Sequence, residues 1–398
     1  MTLIIIFLLL FIAWFILDFY FGRKNHLKNV SKRNYPTRHG KWLLFTDGQD
    51  LYTNLFKDIL EAKQQVHILF YIVKNDLVSQ EFLDLLKKKA KEGVTVRLLL
   101  DRIGSFQIPR KEIRSLRDSG VHFSFSNKPR FPYFFYTLNY RNHRKITVID
   151  GTIGYFGGFN IGKEYLGQDS YLGYWQDFHL KLFGDGVQDL QTEFLLDWEK
   201  STKENLRGDT AYFPPLPKGA LPMRFLPTDG AHIKEFLIEF ISKAKDEVLI
   251  GTPYFIPGQE ILQVILDAKR RGVHVVILVP YKADHAFVKE AAFPYFKEML
   301  KAGCQIYRYT NGFYHGKLIL IDNEICDFGT ANFDKRSFFI NDELNCIIRD
   351  PLFIEKIRTE FLNDIFHRSE KLTISSYEKR PLLQRGKEFV STLISDLL

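Results

Sequence analysis

The 398-residue chain is long enough for two to three folding units, and its composition of 45% hydrophobic and 26% charged residues excludes a disordered or collagen-like polypeptide. Its three cysteines, Cys304, Cys326 and Cys346, are too few and too scattered for a disulfide framework or a CxxC metal site, which points to a reducing compartment. The net charge of +8 is concentrated near the N-terminus: seven cations and no acid lie in residues 19–46, so residues 47–398 carry only about +2. A globally basic nucleic-acid-binding protein is therefore disfavoured, and we expect no nucleic-acid partner.

The first 21 residues predict a membrane anchor. Every residue from Leu3 to Leu17 is apolar, and Asp18 and three aromatic residues follow before the first cation. About 20 apolar residues span a hydrocarbon core, and the basic start and small-residue cleavage site of a signal peptide are both missing. We therefore predict an uncleaved, single-pass transmembrane helix over 1–21, with a buried core helix as the alternative.

A basic juxtamembrane linker follows the predicted anchor over residues 22–40. Its cations predict, by the positive-inside rule, that the following catalytic domain is cytoplasmic. The same cations would attract anionic lipid headgroups.

The two halves of the chain repeat one succession of elements. Residues 62–101 and 244–280 each contain a strand, a helix, a glycine turn and a second apolar strand, and the first of these helices is predicted at about 78–92. Both copies continue through another helix into a short strand, at 121–126 and 304–309.

Strands that alternate with helices predict an α/β fold. We expect two pseudo-symmetric α/β/α sandwich halves that share one active site, with the first half over 41–209 and the second over 223–398. The Pro-rich stretch 210–222 is the predicted linker.

Each half also carries the motif H-x-K-x4-D-x6-G-[GT]-x-N. The first copy comprises His143, Lys145, Asp150 and Asn160, and the second comprises His315, Lys317, Asp322 and Asn332. Identical spacing in both halves of a duplicated chain argues against coincidence. The dipeptides Asp150-Gly151 and Asp322-Asn323 are also typical of hairpin turns, so a turn role for the two aspartates is equally open.

The motif suits chemistry at a phosphate. Residues i and i+2 of a strand face the same side, so the histidine and lysine of each copy point together. The lysine favours the neutral, nucleophilic imidazole and can hold a phosphate oxygen, and the asparagine after a glycine turn can hold another. Two facing half-sites give one nucleophilic histidine and one histidine that protonates the leaving alkoxide, without a metal or other cofactor.

At this point the sequence resembles the phospholipase D superfamily, over essentially residues 41–398. Finer segments resemble bacterial cardiolipin synthases: DRIGS at 101–105, GGFNIG at 157–162, WQDFH at 175–179, TPYF at 252–255 and GTANFDKRS at 329–337. Synthases of this type commonly carry two N-terminal membrane segments, whereas one is visible here.

The resemblance implies transfer of a phosphatidyl group between two phosphatidylglycerol molecules, giving cardiolipin and glycerol through a phosphohistidine, in a bacterial cell membrane. It implies that His143 is the nucleophile and His315 the general acid, although the near-symmetry makes these roles reversible. Asp177 and Glu343 fall where the family has carboxylates that orient the imidazoles, with a surface salt bridge as the alternative. The implied catalytic set is His143, Lys145, Asp150, His315, Lys317 and Asp322, with Asn160 and Asn332 binding phosphate.

A cation–aromatic segment precedes and overlaps the first motif. Residues 119–149 contain five cations and no acid, and five of the six residues in 131–136 are aromatic. An exposed loop of this kind suits anionic lipid headgroups; core aromatics are one alternative, and base stacking keeps a nuclease open as another. A membrane-anchored hydrolase would use the same catalytic residues with water as acceptor. Intact motifs in both halves disfavour a non-enzymatic membrane scaffold.

Overall fold

The computed structural model describes residues 2–393 and 395. Residue 1 of the predicted anchor, and residues 394 and 396–398 of the predicted second half, lie outside this described part. The helices up to residue 209 are α1 (Thr2–Asn29), α2 (Gly48–Glu61), α3 (Leu77–Lys91), α4 (Arg110–Asp118), α5 (Phe134–Asn139) and α6 (Val187–Thr202). The strands are β1 (Arg38–Phe45), β2 (Gln65–Phe70), β3 (Thr95–Asp101), β4 (His122–Ser126), β5 (Ile146–Ile149), β6 (Ile153–Gly157), β7 (Trp175–Gln176) and β8 (His179–Gly184).

The rest of the chain repeats this order with additions at its end. Its helices are α7 (Ile233–Lys243), α8 (Gly258–Arg270), α9 (Val288–Ala291), α10 (Phe293–Lys301), α11 (Lys335–Phe339), α12 (Pro351–Arg368), α13 (Ile374–Glu378) and α14 (Leu382–Leu393). Its strands are β9 (Leu221–Asp229), β10 (Glu247–Gly251), β11 (Phe255–Ile256), β12 (His274–Pro280), β13 (Gln305–Tyr309), β14 (Phe313–Tyr314), β15 (Leu318–Ile321), β16 (Ile325–Gly329), β17 (Phe333–Asp334), β18 (Asp342–Ile348) and β19 (Ser369–Lys371). Two short 3-10 turns lie at Lys163–Leu166 and Thr210–Tyr212.

The local predictions agree closely with these elements. The helix predicted at about 78–92 is α3, and the short strands predicted at 121–126 and 304–309 are β4 and β13. The strand β9 begins at Leu221, inside the predicted linker.

The strands of both halves form one continuous sheet rather than two separate ones. In the described residues it has 15 strands, in the order β19-β13-β12-β10-β15-β16-β18-β9-β1-β8-β6-β5-β2-β3-β4. The two halves of this order mirror each other about the antiparallel pair β1/β9, which joins Arg38–Gly40 to Leu221–Met223. The duplication seen in the sequence is therefore a pseudo-twofold arrangement in the fold.

Helices cover both faces of the sheet, as an α/β/α sandwich requires. On one face, α6 and α12 pack over a core shared by both halves, in which Phe156 contacts Phe225 and Phe328. On the other face each half has its own core, under α2 and α3 in the first half and under α7, α8 and α10 in the second. Successive strand residues alternate between the two faces, which is why the central strands read as continuous apolar runs.

The helix α1 is long and apolar enough to span a membrane. Its most apolar window has a mean hydropathy of 2.7 and is 6% buried. The helix continues to Asn29, eight residues beyond the predicted anchor. These last turns are held by the protein itself: Arg23 donates to the carbonyl of Gly230 (2.7 Å), and His26 Nε2 donates to the carbonyl of Asp229 (2.7 Å). The helix α1 is therefore docked on the rest of the protein through its C-terminal turns.

Candidate active site

The two His-Lys pairs lie at the same place in each half, just before a central strand of the sheet. His143 and Lys145 precede β5, and His315 and Lys317 precede β15. All four side chains are buried, and both histidines line one cavity of about 450 Å³. The structure thus brings the two half-sites together in one shared site.

Each half supplies the carboxylate that binds the histidine of the other half. The parallel pair β14/β7 places Asp177 beside His315, and the Oδ2–Nδ1 distance is 2.5 Å. A bridge between Asn142 and Asp342 places Glu343 beside His143, at 2.9 Å from Oε2 to Nδ1. Both carboxylates are buried, so the surface salt-bridge alternative is wrong.

These carboxylates fix the orientation of the imidazoles. A carboxylate only accepts hydrogen bonds, so a neutral histidine bound to it carries its proton on Nδ1 and leaves a lone pair on Nε2. Glu343 is itself held by the hydroxyls of Thr330 (2.6 Å) and Ser337 (2.9 Å). Each ring is therefore presented with Nε2 as a base or nucleophile.

The lysines lie close to their own histidines. Lys145 Nζ donates to the carbonyl of His143 at 2.7 Å. Lys317 Nζ also donates to the carbonyl of His315, and it lies 2.6 Å from Nδ1 of that ring and 3.5 Å from Asp177. The second half-site is thus the more compact cluster of cation, imidazole and carboxylate.

Burial and the lysines keep both imidazoles neutral. Burial lowers the pKa of His143 to about 4, and Lys145 shifts it in the same direction. Burial likewise lowers the pKa of His315 to about 3, with Lys317 as the next contributor. The predicted effect of the lysines is confirmed in direction, but desolvation is the larger cause.

The carboxylates stay ionised despite their burial. Burial raises the pKa of Asp177, but Lys317 and His315 outweigh this effect and hold that pKa below its usual value. Burial also raises the pKa of Glu343, and His143 and Lys145 lower it below its usual value. The site therefore combines neutral imidazoles with charged partners on their Nδ1 side.

Both motif asparagines line the cavity, in different ways. Asn160 donates to the Tyr165 hydroxyl (3.1 Å) and accepts from the amide of Ile72 (3.0 Å), so its amide group also ties two loops together. Asn332 is buried, and its Oδ1 has no hydrogen-bond partner among the described residues. Both side chains are within the site, as the sequence predicted.

The two motif aspartates are not in the site, which corrects their assignment to the catalytic set. Asp150 and Asp322 follow β5 and β15, so a four-residue strand of about 13 Å separates each from its histidine and lysine. The Asp150 carboxylate accepts from the amides of residues 63–65, and Asp322 accepts from those of residues 245–247. Both residues have positive φ, of 50° and 52°, in tight turns. The turn alternative is correct, and each carboxylate fixes the start of β2 or β10.

Some residues that line the cavity were missed by sequence reasoning. The Tyr71 ring is 4.9 Å from the His143 ring and lies under Lys145 Nζ at 5.5 Å. Tyr254 donates to Asp284 at the opposite wall. Tyr71 follows β2 directly and Tyr254 comes three residues after β10, so a tyrosine shortly after the first strand of each repeat was the available signal.

The cation–aromatic segment differs from the expected exposed loop. Of its cations, Arg141 is buried against Asp101, and Arg144 and Lys145 are fully buried. The aromatic run instead contacts α1: the Phe135 ring lies 4.8 Å from Trp14 and 5.2 Å from Phe15. The aromatic residues 131–136 are therefore neither part of an ordinary core nor a free basic loop. They form an aromatic ridge that packs along α1.

Comparison with known proteins matches the geometry of the site. Residues 55–174 and 237–365 match the family model described as cardiolipin synthase, PLD-like domain. The chain is 41% identical over 395 residues to the minor cardiolipin synthase ClsB of Bacillus subtilis, covering 99% of this chain and 98% of that protein. It is 42% identical over 361 residues to the major cardiolipin synthase ClsA of the same organism, covering 89% of this chain and 75% of that protein.

A solved structure shares the fold. The crystal structure of phosphatidylserine synthase from Haemophilus influenzae superposes with a TM-score of 0.69, over 95% of this chain and 100% of that chain. At 16% sequence identity, this likeness concerns the fold alone.

Proposed function

The chain belongs to the cardiolipin synthase family with phospholipase D-like domains, and on this premise we propose that it transfers a phosphatidyl group from one phosphatidylglycerol molecule to another. The products are cardiolipin and glycerol. The observation that carries the proposal is that two buried histidines, each held at Nδ1 by a carboxylate of the other half, line one cavity, with their lysines buried beside them. This arrangement supports a double displacement at phosphorus.

In the first displacement, Nε2 of His143 attacks the phosphorus of phosphatidylglycerol. The bond between phosphorus and the glycerol oxygen breaks, and His315 supplies the proton that glycerol carries away. The substrate brings an anion into the cavity, which favours the protonated form of His315 that this step requires. The chain is left as a phosphohistidine ester.

In the second displacement, the glycerol hydroxyl of another phosphatidylglycerol gives its proton to His315 and attacks the phosphorus. The phosphorus–nitrogen bond breaks and His143 is regenerated. Lys145 and Lys317 neutralise the phosphoryl oxygens in both steps, and the amide groups of Asn160 and Asn332 add neutral donors. Because the cycle is symmetric, the assignment of His143 as nucleophile rests on the family pattern.

We place the enzyme in the bacterial cell membrane, anchored by α1, with its catalytic body on the cytoplasmic side. The apolar length of α1 and the cations that follow it support this topology. Three of these cations, Arg23, Arg33 and Arg38, are bound to protein groups. Only part of the positive charge that follows the apolar stretch is therefore available to contact lipid headgroups. Phosphatidylglycerol is the proposed donor of the phosphatidyl group and also the proposed acceptor.

The product assay tests the proposal directly. The full chain, solubilised and supplied with glycerol-labelled phosphatidylglycerol alone, should release one glycerol for each cardiolipin formed, and His143→Ala should form none. Phosphatidic acid with glycerol would instead show that water is the acceptor and would move the chain to the hydrolases. Full activity of His143→Ala would refute the two-histidine site.

A further inference from the structure

A second cavity lies between the end of the anchor helix and the aromatic ridge. Its volume is about 530 Å³, and it is bounded by the last turns of α1, by residues 130–140 and by α6. None of its lining residues lines the catalytic cavity. It is therefore a separate space with its own chemistry.

The position of this cavity along α1 places it at the headgroup layer of a bilayer. The side chains from Leu3 to Leu10 are exposed and apolar, and the ridge residue Phe135 contacts Phe11, Trp14 and Phe15 within the same apolar stretch. The 28 residues of α1 measure about 42 Å, more than the roughly 30 Å of a hydrocarbon core. The part of α1 that lines the cavity, within residues 22–29, belongs to this excess length.

The cavity presents cations and amides to an anion. The Arg130 side chain is exposed, and its guanidinium has no ion pair among the described residues. Lys200 lines the opposite wall, where its Nζ lies 3.2 Å from Asp342. The amides of Asn25 and Asn29 contribute from α1.

The two acids that line the cavity, Asp197 and Asp229, are both bound by arginines. Asp197 is bound by Arg144 through two contacts of 2.8 and 2.9 Å. Asp229 is bound by Arg33 at 2.7 Å and by Arg144 at 2.5 Å. The charged lining residues are two acids, Asp197 and Asp229, and three cations, Arg33, Arg130 and Lys200, so the lining carries an excess of one positive charge.

We propose that this cavity binds the phosphodiester headgroup of an anionic membrane phospholipid that is not undergoing reaction. Arg130 and Lys200 would hold the phosphate, since guanidinium and ammonium groups form charge-assisted hydrogen bonds with phosphate oxygens. The exposed Phe131 and the half-buried Tyr133 stand at the mouth, where aromatic rings meet the interface and acyl chains continue into the bilayer.

Lys200 connects this cavity with the strand that contacts His143. Lys200 contacts Asp342, whose carbonyl accepts from the amide of His143 at 2.9 Å, and the next residue is Glu343. A phosphate that draws Lys200 toward itself changes the electrostatic environment of this strand.

The test is a count of bound lipid on the full chain in the His143→Ala background, which does not turn over phosphatidylglycerol. Native mass spectrometry of the detergent-solubilised protein, titrated with dioleoyl-phosphatidylglycerol, should resolve a lipid whose Kd rises about tenfold in Arg130→Gln. The matched control is Lys128→Gln, which removes an exposed cation two residues away that does not line the cavity. This control should bind lipid as the parent does.

Three results would overturn the proposal. One is unchanged binding by Arg130→Gln, and another is equal binding of dioleoyl-phosphatidylcholine at this site. The third is displacement of the lipid by millimolar inorganic phosphate, which would make the cavity a site for the free anion. Because binding is measured without turnover, failure here is distinguishable from failure of the proposed transferase reaction.

Discussion

Replacing Glu343 by glutamine would remove the charge that orients His143 while keeping the volume of the side chain. The two carboxylate oxygens lie 3.1 and 2.9 Å from Nδ1, so either orientation of the new amide can bring its NH2 group to the ring. A donor at that position favours the tautomer with the proton on Nε2, which is the atom proposed to attack phosphorus.

The expected loss follows from the change of tautomer. The analogous replacement of a buried carboxylate behind a catalytic histidine lowers kcat by about 10⁴-fold, so we expect a loss of about 10³- to 10⁴-fold here. This equals about 4 to 5.5 kcal/mol of barrier. The hydroxyls of Thr330 and Ser337 can rotate to meet the amide, so the free energy of unfolding should fall by only about 1–2 kcal/mol.

The assay is the rate of cardiolipin formation by the solubilised full chain, with thermal unfolding as the control for folding. Asp327→Asn is the matched variant, because Asp327 is also a buried carboxylate of the second half, but it bonds Asn345 instead of a histidine. Its rate should stay near that of the parent. A Glu343→Gln enzyme that retained more than a tenth of the parent kcat would refute the orienting role of the carboxylate.

Arg144→Met should lower the free energy of unfolding by about 3–5 kcal/mol, because it leaves buried acids without their partner. Urea unfolding measures this loss, with Arg207→Met, a substitution of an exposed arginine, as the control. Equal urea midpoints for the two variants would contradict the prediction. Asp150→Ala and Asp322→Ala should each cost about 1–3 kcal/mol of stability with kcat unchanged, and a thousandfold loss of kcat would restore their catalytic assignment. Stability should fall as the pH drops from 6.5 toward 4, because the pKa of His143 is depressed to about 4 in the folded chain only, so the unfolded chain takes up more protons. The slope, about 1.4 kcal/mol per pH unit for such a histidine, should shrink in His143→Ala, and an unchanged slope would contradict its burial as a neutral group.

The sequence was most informative where the structural signal is local or periodic. The apolar spacing of α3 and the repeated motif around His143 and His315 depend on short stretches of chain, and both were predicted. The aspartates after β5 and β15 show the limit of this reasoning. A turn residue and a catalytic residue can occupy the same motif position, and only the contacts of Asp150 with the amides before β2 separate the two.

Non-local contacts account for most of what the sequence did not reveal. Arg144 lies between the histidine and the lysine of the first motif, yet its partners Asp197 and Asp229 lie 53 and 85 residues away. The extension of α1 to Asn29 depends likewise on the turn at Asp229, more than 200 residues along the chain. No periodicity or spacing predicts such partners, because they are fixed by the mirror arrangement of the two halves in one sheet.

The exchange of carboxylates between the halves has a consequence for the growing chain on the ribosome. His143 is made 200 residues before Glu343, and His315 is made 138 residues after Asp177. A nascent first half, with its anchor already made, therefore holds a histidine whose ring nothing yet orients. By the proposed mechanism, the enzyme cannot begin to cleave the lipids around it until β18 has emerged and joined the sheet, so synthesis itself delays the chemistry until both halves are present.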